Sequence, residues 1–208
     1  MRSQKKIFLE YEGDNYYERN KKKLFNKDYA KDKVVILVKS LIKSKRKKVN
    51  ILDIGCCSGL KLNYLEKNFS NIGAYGIDPS RKAILSNNNK KINLKISTAD
   101  KIPFKVRFDI VILSFCLYLC DDDDLFKISS EVYRVLNKNS YIIIEDFIKK
   151  KITYNNYKHQ NFIKSRKMNY VSMFNWHPKI KLQKKINYIF TNNNNKNNRI
   201  SIALLKKK

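Results

Sequence analysis

Val49-Asn50-Ile51-Leu52-Asp53-Ile54-Gly55-Cys56-Cys57-Ser58-Gly59 reads as a buried strand that runs into a tight turn of small residues and then a helix. Nineteen residues beyond Gly59, the stretch Gly76-Ile77-Asp78 closes a second strand on an acid. Strand, glycine-bearing turn, helix, strand and terminal acid make a nucleotide-binding half-site. The turn brings backbone amides close to a ligand, and the acid accepts hydrogen bonds from ribose hydroxyls.

The glycine spacing narrows the choice of nucleotide. A dinucleotide site uses Gly-x-Gly-x-x-Gly, which lets a pyrophosphate rest on the helix N-terminus. Here the turn has glycines only at 55 and 59, with Cys57 between them. Asp53 sits at the strand end, where a carboxylate repels a pyrophosphate and suits a ligand with a cationic amino-acid end. S-adenosylmethionine is such a ligand: it carries an ammonium, a sulfonium, a ribose and an adenine, and no phosphate.

Leu52-Asp53-Ile54-Gly55-Cys56-Cys57-Ser58-Gly59 resembles the first motif of class I S-adenosylmethionine-dependent methyltransferases, commonly Leu-Asp-hydrophobic-Gly-x-Gly-x-Gly. Further blocks follow in the order of that family. Gly76 to Ser80 resembles the second-strand acid block. Thr98-Ala99-Asp100-Lys101-Ile102-Pro103-Phe104 resembles the adenine block, Phe108 to Ile112 the fourth strand, and Arg134 to Leu136 with Ile142 to Phe147 the last helix and fifth strand. The resemblance spans roughly the middle half of the chain. It implies an α/β fold: a doubly wound, Rossmann-like seven-stranded sheet, mostly parallel, with a C-terminal antiparallel hairpin. It also implies S-adenosylmethionine as cofactor and methyl transfer as activity.

Site residues follow from the same resemblance. Asp78, with Pro79 beside it, is expected to hold the ribose hydroxyls. Asp100, flanked by Ala99 and Lys101, is expected to accept from the adenine amino group. Gly55, Cys56 and Gly59 form the turn around the methionine end, and Asp53 orients its ammonium. Ser114 and Phe115 end the fourth strand, where ligands sit in open α/β sheets. Tyr16, Tyr17 and Arg19 are candidates for a lid. Two departures from the family pattern stand out. Cys57 replaces a glycine, at a cost of ~1–2 kcal/mol if that position needs a positive φ. Asn137-Lys138-Asn139-Ser140 replaces a Lys-Pro-Gly-Gly turn, and Asn tolerates left-handed backbone.

The 208 residues suit one domain. Its expected parts are an N-terminal helical lid (1–48), a cofactor-binding core (49–147), a substrate-pocket insert (148–183) and a C-terminal hairpin (184–208). Strands are expected at 49–54, 73–77, 92–97, 108–114 and 140–146, apolar throughout as in parallel sheets covered on both faces. Helices are expected over Asp32–Lys43 and 124–136. The runs Ile186–Phe190 and Ile200–Leu205 are the hairpin strands, joined through the asparagine-rich stretch 192–198. Asp121-Asp122-Asp123-Asp124 reads as a capped helix start, and no metal is expected.

Composition bounds the partners. The net charge of +27 comes from 37 Lys and only 8 Arg, beside 25 Asn, a mixture that A/T-rich codons also produce. Arg is the residue that phosphate and base recognition favours, and the lysines are spread from Lys5 to Lys208. A small-molecule substrate is therefore preferred to nucleic acid. An RNA methyltransferase and a non-catalytic cofactor-binding partner stand as alternatives. The longest apolar run, Ile110–Cys120, is too short for a bilayer. Residues 1–9 lack a signal-peptide pattern, and Cys56, Cys57, Cys116 and Cys120 lack zinc spacing, so free thiols in a cytoplasmic protein are expected.

Candidates for catalysis lie beyond the core. His159 and His177 fall in the insert and have side chains able to deprotonate a hydroxyl or amine near neutral pH. Asp146 ends the fifth strand and is a third candidate base. Several segments, among them Ser114–Asp121, Glu145–Phe147, Tyr157–His159 and Met173–Pro178, resemble a little-characterised bacterial subgroup. That subgroup resembles enzymes encoded with surface-glycan and modified-sugar pathways, which points to a sugar or nucleotide-sugar acceptor.

Overall fold

The computed structural model describes residues 3–43, 47–189 and 198–208. One seven-stranded sheet runs through it. Its strands are β1 (Val49–Ile54), β2 (Ile72–Asp78), β3 (Ile92–Ile96), β4 (Phe108–Ser114), β5 (Leu136–Phe147), β8 (Ile180–Ile189) and β9 (Arg199–Lys207). Strands β6 (Thr153–Asn156) and β7 (Lys164–Lys167) form a separate antiparallel hairpin. The order in the sheet is β3-β2-β1-β4-β5-β9-β8. Strands β1 to β5 are parallel, and β9 runs antiparallel between β5 and β8. This is the doubly wound sheet with a terminal hairpin expected from the sequence.

Both faces of the sheet are buried, and alternate residues of each central strand go to opposite sides. Ile51, Ile110, Ile112 and Ile143 pack with Val34, Val35, Val38 and Ile42 of α3 (Lys33–Lys43) and with Leu62 and Leu65 of α4 (Leu60–Asn68). Leu52, Val111, Leu113, Ile142 and Ile144 pack with Ile128, Val132 and Val135 of α6 (Leu125–Val135). Met173 and Phe174 of the short helix α7 (Ser172–Asn175) join that second face.

The N-terminal helix has two parts, α1 (Gln4–Ile7) and α2 (Gly13–Phe25), linked by a π-helical turn over Phe8–Glu12. Asp14 fastens α2 to the start of α5 (Arg81–Leu85) by accepting from the Ser80 hydroxyl at 2.7 Å and the Lys82 amide at 2.9 Å. The amides of Gln4 and Lys5 donate to Asp121 at 2.9 Å each. The acid run therefore does a different job from the one expected. Asp124 makes no side-chain cap for α6 and pairs with Lys5 at 2.8 Å, and Asp122 pairs with Arg166.

Two strand starts differ by several residues from the sequence reading. β5 begins at Leu136, because the polar Asn137–Ser140 stretch stays in the strand as an irregularity, with Asn139 at φ +53°. β8 begins at Ile180, ahead of the apolar run at 186, since Lys181 to Lys185 lie on an exposed edge strand. The asparagine-rich connection falls almost entirely outside the described residues, as does Phe190.

Gly76 tests how tightly the first turn sits on β2. A Cβ there lies 2.6 Å from Cys56 Sγ and 2.8 Å from Leu94 Cδ2. Gly76→Ala is expected to lose about 1–3 kcal/mol in urea unfolding. Adding Cys56→Ala is expected to recover part of that loss, and strictly additive effects would show that the two positions do not touch.

Candidate active site

A cavity of about 240 Å³ opens at the C-terminal ends of β1, β2 and β4. That is where the strand order reverses around β1, the position at which open α/β sheets bind ligands. Its floor is the turn after β1. The Gly55 and Cys56 amides donate to the Ile77 carbonyl at 2.9 and 3.0 Å, and the Cys57 amide donates to Asp78 at 2.8 Å. Three residues of this turn have left-handed backbone: Gly55 (φ +74°), Cys57 (φ +51°) and Gly59 (φ +70°). The strain anticipated at Cys57 is therefore present.

Asp78 ends β2 on the cavity wall. Its second oxygen accepts from the Ser80 amide at 2.9 Å. Each carboxylate oxygen thus holds one backbone amide and keeps acceptor capacity for a ligand. Burial pushes the carboxyl up to about 6, against the pull of the two amides. Asp100, also on the wall, is 5% exposed and takes Lys5 Nζ at 2.7 Å and Lys127 Nζ at 3.3 Å. Burial opposes its charge, but hydrogen bonds with Lys5, Thr98 and Lys127 outweigh it and keep Asp100 below the ordinary carboxylate range.

The buried Asp53 and the half-buried Lys61 face the cavity as a pair, 3.3 Å apart. Burial disfavours the Lys61 ammonium. Asp53, Asp32 and Glu145 together outweigh that cost and raise its pKa. Glu145 is itself held by Ser114 and Tyr188, whose hydroxyls each donate at 2.6 Å. The roof comes from the N-terminal segment, through Lys5, Phe8, Tyr16 and Leu24. The Tyr16 hydroxyl is hydrogen-bonded to Tyr118, and burial lifts its pKa to about 12, so it remains a phenol.

Of the residues singled out in the sequence, Asp53, Gly55, Cys56, Asp78, Pro79, Ala99, Asp100, Ser114 and Phe115 all line this cavity. Gly59 shapes the turn as the residue before α4 without lining it. Lys101 is exposed, its amide bonded to the Thr98 carbonyl. Arg19 pairs with the buried Glu12 and donates to Tyr157 Oη at 3.1 Å, outside the cavity wall. The four cysteines are free and face the cavity, and burial raises every thiol pKa.

The structure does not bring the three candidate bases to this cavity. His159 is exposed, edge-on to Tyr157 at 5.3 Å. His177 stacks on Tyr133 of α6 at 4.5 Å and accepts from the Lys179 amide at 3.1 Å. Asp146 lies in a separate void of about 10 Å³, accepting from the Phe147 amide at 2.7 Å and the Tyr118 amide at 3.2 Å. Sequence reasoning missed Lys5, Lys27 and Lys61. Lys61 carried a usable signal: a lysine in the first turn of a helix opposes the helix dipole and needs a local acid.

The lining is acidic. Asp53, Asp78, Asp100, Asp121 and Asp124 face it against Lys5, Lys27 and Lys61, in a chain whose net charge is +27. A cation with a ribose fits this lining, and a pyrophosphate does not. Among the described residues, no group of three or more His, Cys, Asp or Glu side chains is placed to hold a metal, and no helix is long and apolar enough to cross a membrane.

Residues 52–144 match the family model described as "Methyltransferase domain". No curated protein sequence matches the chain. Solved structures share the fold at low identity. A 1,6-didemethyltoxoflavin-N1-methyltransferase from Burkholderia thailandensis, holding its substrate and S-adenosylhomocysteine, aligns with TM-score 0.73 and 10% identity over 97% of this chain and 88% of its own. A S-adenosylmethionine-dependent methyltransferase from Methanosarcina mazei aligns with TM-score 0.64 and 16% identity, over 81% and 96%. The N-methyltransferase NodS from Bradyrhizobium japonicum, with S-adenosylhomocysteine, aligns with TM-score 0.62 and 14% identity, over 93% and 99%. The segment 52–144 thus resembles a methyltransferase domain, and the chain shares the fold of solved S-adenosylmethionine-dependent methyltransferases.

Asp146, outside the cavity, gives the fold a pH signature. Burial pushes its carboxyl up to about 8, despite three backbone amide bonds, while the unfolded chain titrates near ~4. The folded protein therefore binds an extra proton between those values, and this group's contribution to stability falls as pH rises through that window. Asp146→Asn removes the titration. In thermal melts from about pH 5 to pH 9 the wild type is expected to lose ground steadily against the variant. Parallel curves would rule this out.

Proposed function

We propose that the chain transfers the methyl group of S-adenosylmethionine to a small polar acceptor. The observation that carries this reading is the acidic cavity with Asp78 at its β2 end. The cofactor supplies a methyl group on a positively charged sulfur. The chain's own residues bind and orient it.

Asp78 accepts from the ribose hydroxyls through the lone pairs its two amide bonds leave free. Asp100 faces the adenine amino group. Asp53 and Lys61, opposite charges side by side, match the ammonium and carboxylate of the methionine end. Phe115, held at φ +52° where β4 ends, and Tyr16 on the roof flank the space where an acceptor meets the methyl group. No histidine lines that space. The protein's main contribution is holding donor and acceptor in line, which by itself supplies a large part of such a rate. The segments resembling a surface-glycan subgroup support a sugar or nucleotide-sugar as the acceptor.

Asp78→Ala tests the assignment. Calorimetry with S-adenosylhomocysteine is expected to show affinity reduced roughly tenfold or more, the scale of a lost charge-assisted hydrogen bond. A thermal melt of the same sample establishes that it is folded. Undiminished affinity in the folded variant would remove Asp78 from the site.

A further inference from the structure

The lysines run the length of the chain, but the acids do not. All 18 Asp and Glu residues lie in 1–146, and residues 147–208 hold 16 Lys and Arg with no acid. Codon bias enriches lysine, yet it does not clear acids from one stretch. This acid-free stretch supplies the β9-β8 edge of the sheet and the short helix α7.

The chain's only Trp stands there. Trp176 follows α7 and is 65% exposed. Its Nε1–H donates to the Met173 carbonyl at 3.0 Å, so one edge of the indole is fixed while most of it meets solvent. The His177 ring lies behind it at 5.6 Å and stacks in turn on Tyr133 of α6 at 4.5 Å. The Lys207 ammonium ends the row, 3.9 Å from the centre of the Tyr133 ring. Further cations border it. Arg107 and Lys207 both donate to the Leu136 carbonyl, at 3.4 and 3.0 Å. The Lys179 amide donates to His177 Nδ1 at 3.1 Å. Lys185 Nζ donates to Asn169, three residues ahead of α7, at 2.9 Å. The acids contributed by neighbouring elements are occupied. Glu131 of α6 takes Arg134 at 2.6 and 2.7 Å, and Asp109 of β4 takes the Asn50 amide at 2.9 Å and the Asn137 side chain at 3.2 Å.

The row is remote from the cavity. Arg107 precedes β4, Leu136 opens β5, and Lys207 closes the antiparallel β9. These positions mark the N-terminal ends of the parallel strands, roughly 20 Å from the C-terminal ends where the cavity opens. We propose that Trp176, backed by His177 and Tyr133, is a stacking platform for single-stranded RNA whose phosphates are held by Arg107, Lys179 and Lys185. This surface goes beyond the methyl-transfer reading and does not rest on it. A fixed, exposed ring takes a base on its face with little loss of side-chain freedom, and every base has a face to offer. Lysines supply phosphate contacts as point charges, without fork geometry. A duplex hides its base faces, which selects a single strand, and RNA is the nucleic acid whose unpaired loops and ends proteins read by stacking. An anionic membrane fits less well, because Asn175, His177 and Lys179 around the indole are polar and insertion into lipid calls for apolar neighbours.

The single Trp is its own reporter. Its fluorescence is expected to be quenched when an oligoadenylate of about 12 nucleotides is titrated into the full chain. Anisotropy of the labelled oligonucleotide then follows the variants, with a thermal melt of each to establish folding. Trp176→Ala is expected to weaken binding about tenfold or more, and Trp176→Phe to recover most of the loss. Lys179→Ala/Lys185→Ala is expected to weaken it about tenfold and to lower the slope of log affinity against log salt by about one to two. The control pair Lys67→Ala/Lys90→Ala removes the same charge from exposed positions near the opposite edge of the sheet, and is expected to change affinity less than about twofold. Absence of quenching, undiminished binding by Trp176→Ala, or equal losses in the two lysine pairs would overturn the proposal. Binding to phosphatidylglycerol vesicles without binding to oligoadenylate would replace RNA by a membrane, and tighter binding of oligodeoxyadenylate would replace it by DNA. Saturating S-adenosylhomocysteine is expected to leave the RNA affinity within about twofold. Competition between the two would place the RNA in the cavity and overturn the remote site. Failure of S-adenosylhomocysteine to bind any sample would refute the methyl-transfer reading alone, since the oligoadenylate comparison does not depend on it.

Discussion

The Asp78 carboxylate, bonded to the amides of Cys57 and Ser80, is the constraint on which the site is built. One bond fixes the turn after β1, and the other fixes the start of α5. Through Ser80 and Asp14 the same cluster seats the N-terminal helix over the cavity. The turn must enter the left-handed region three times, and at Cys57 it does so with a side chain. That strain is worth ~1–2 kcal/mol. The charge-assisted bond from the Cys57 amide contributes ~1.5–3 kcal/mol, enough to offset it. The missing glycine is thus tolerable, and Asp78 is what makes it so.

Charge gives the second level of organisation. A chain at +27 would be expected to present lysines everywhere, yet its main cavity is lined by more acids than bases. The lysines that do reach the cavity are each tied to a carboxylate: Lys5 to Asp100 and Asp124, Lys27 to Asp32, Lys61 to Asp53. Lys5 and Lys61 also connect architecture to binding. Lys5 pins the first helical turn across the cavity mouth, and Lys61 neutralises part of a buried acidic row that runs from Asp53 to Glu145. The result is a pocket whose residual charge favours a cation inside an otherwise basic protein.

Much of this was legible in the sequence, for specific physical reasons. β1 and β4 occupy the expected spans 49–54 and 108–114, because strands buried on both faces stand out by their largely apolar composition. Nine cofactor candidates reach one cavity because each lies at a strand end or in a turn that the topology brings together. Asn139 adopts the left-handed backbone anticipated for an asparagine there. The parts that could not be read depend on long-range packing. β8 starts within Ile180–Lys185, where an edge strand leaves lysines in solvent and shows no apolar signal. Asp146, His159 and His177 were selected by chemical type, and type does not say which wall a side chain faces. Lys5 and Lys61 were lost among 37 lysines, since only the fold shows that an acid 95 residues away is the partner of Lys5.

The most direct measurement is a calorimetric titration of the wild-type chain with S-adenosylmethionine and, in parallel, with NAD⁺. An acid-lined cavity without a pyrophosphate turn is expected to bind S-adenosylmethionine at one site in the micromolar range and to give no signal with NAD⁺. NAD⁺ binding at comparable affinity, or no binding of S-adenosylmethionine, would contradict it.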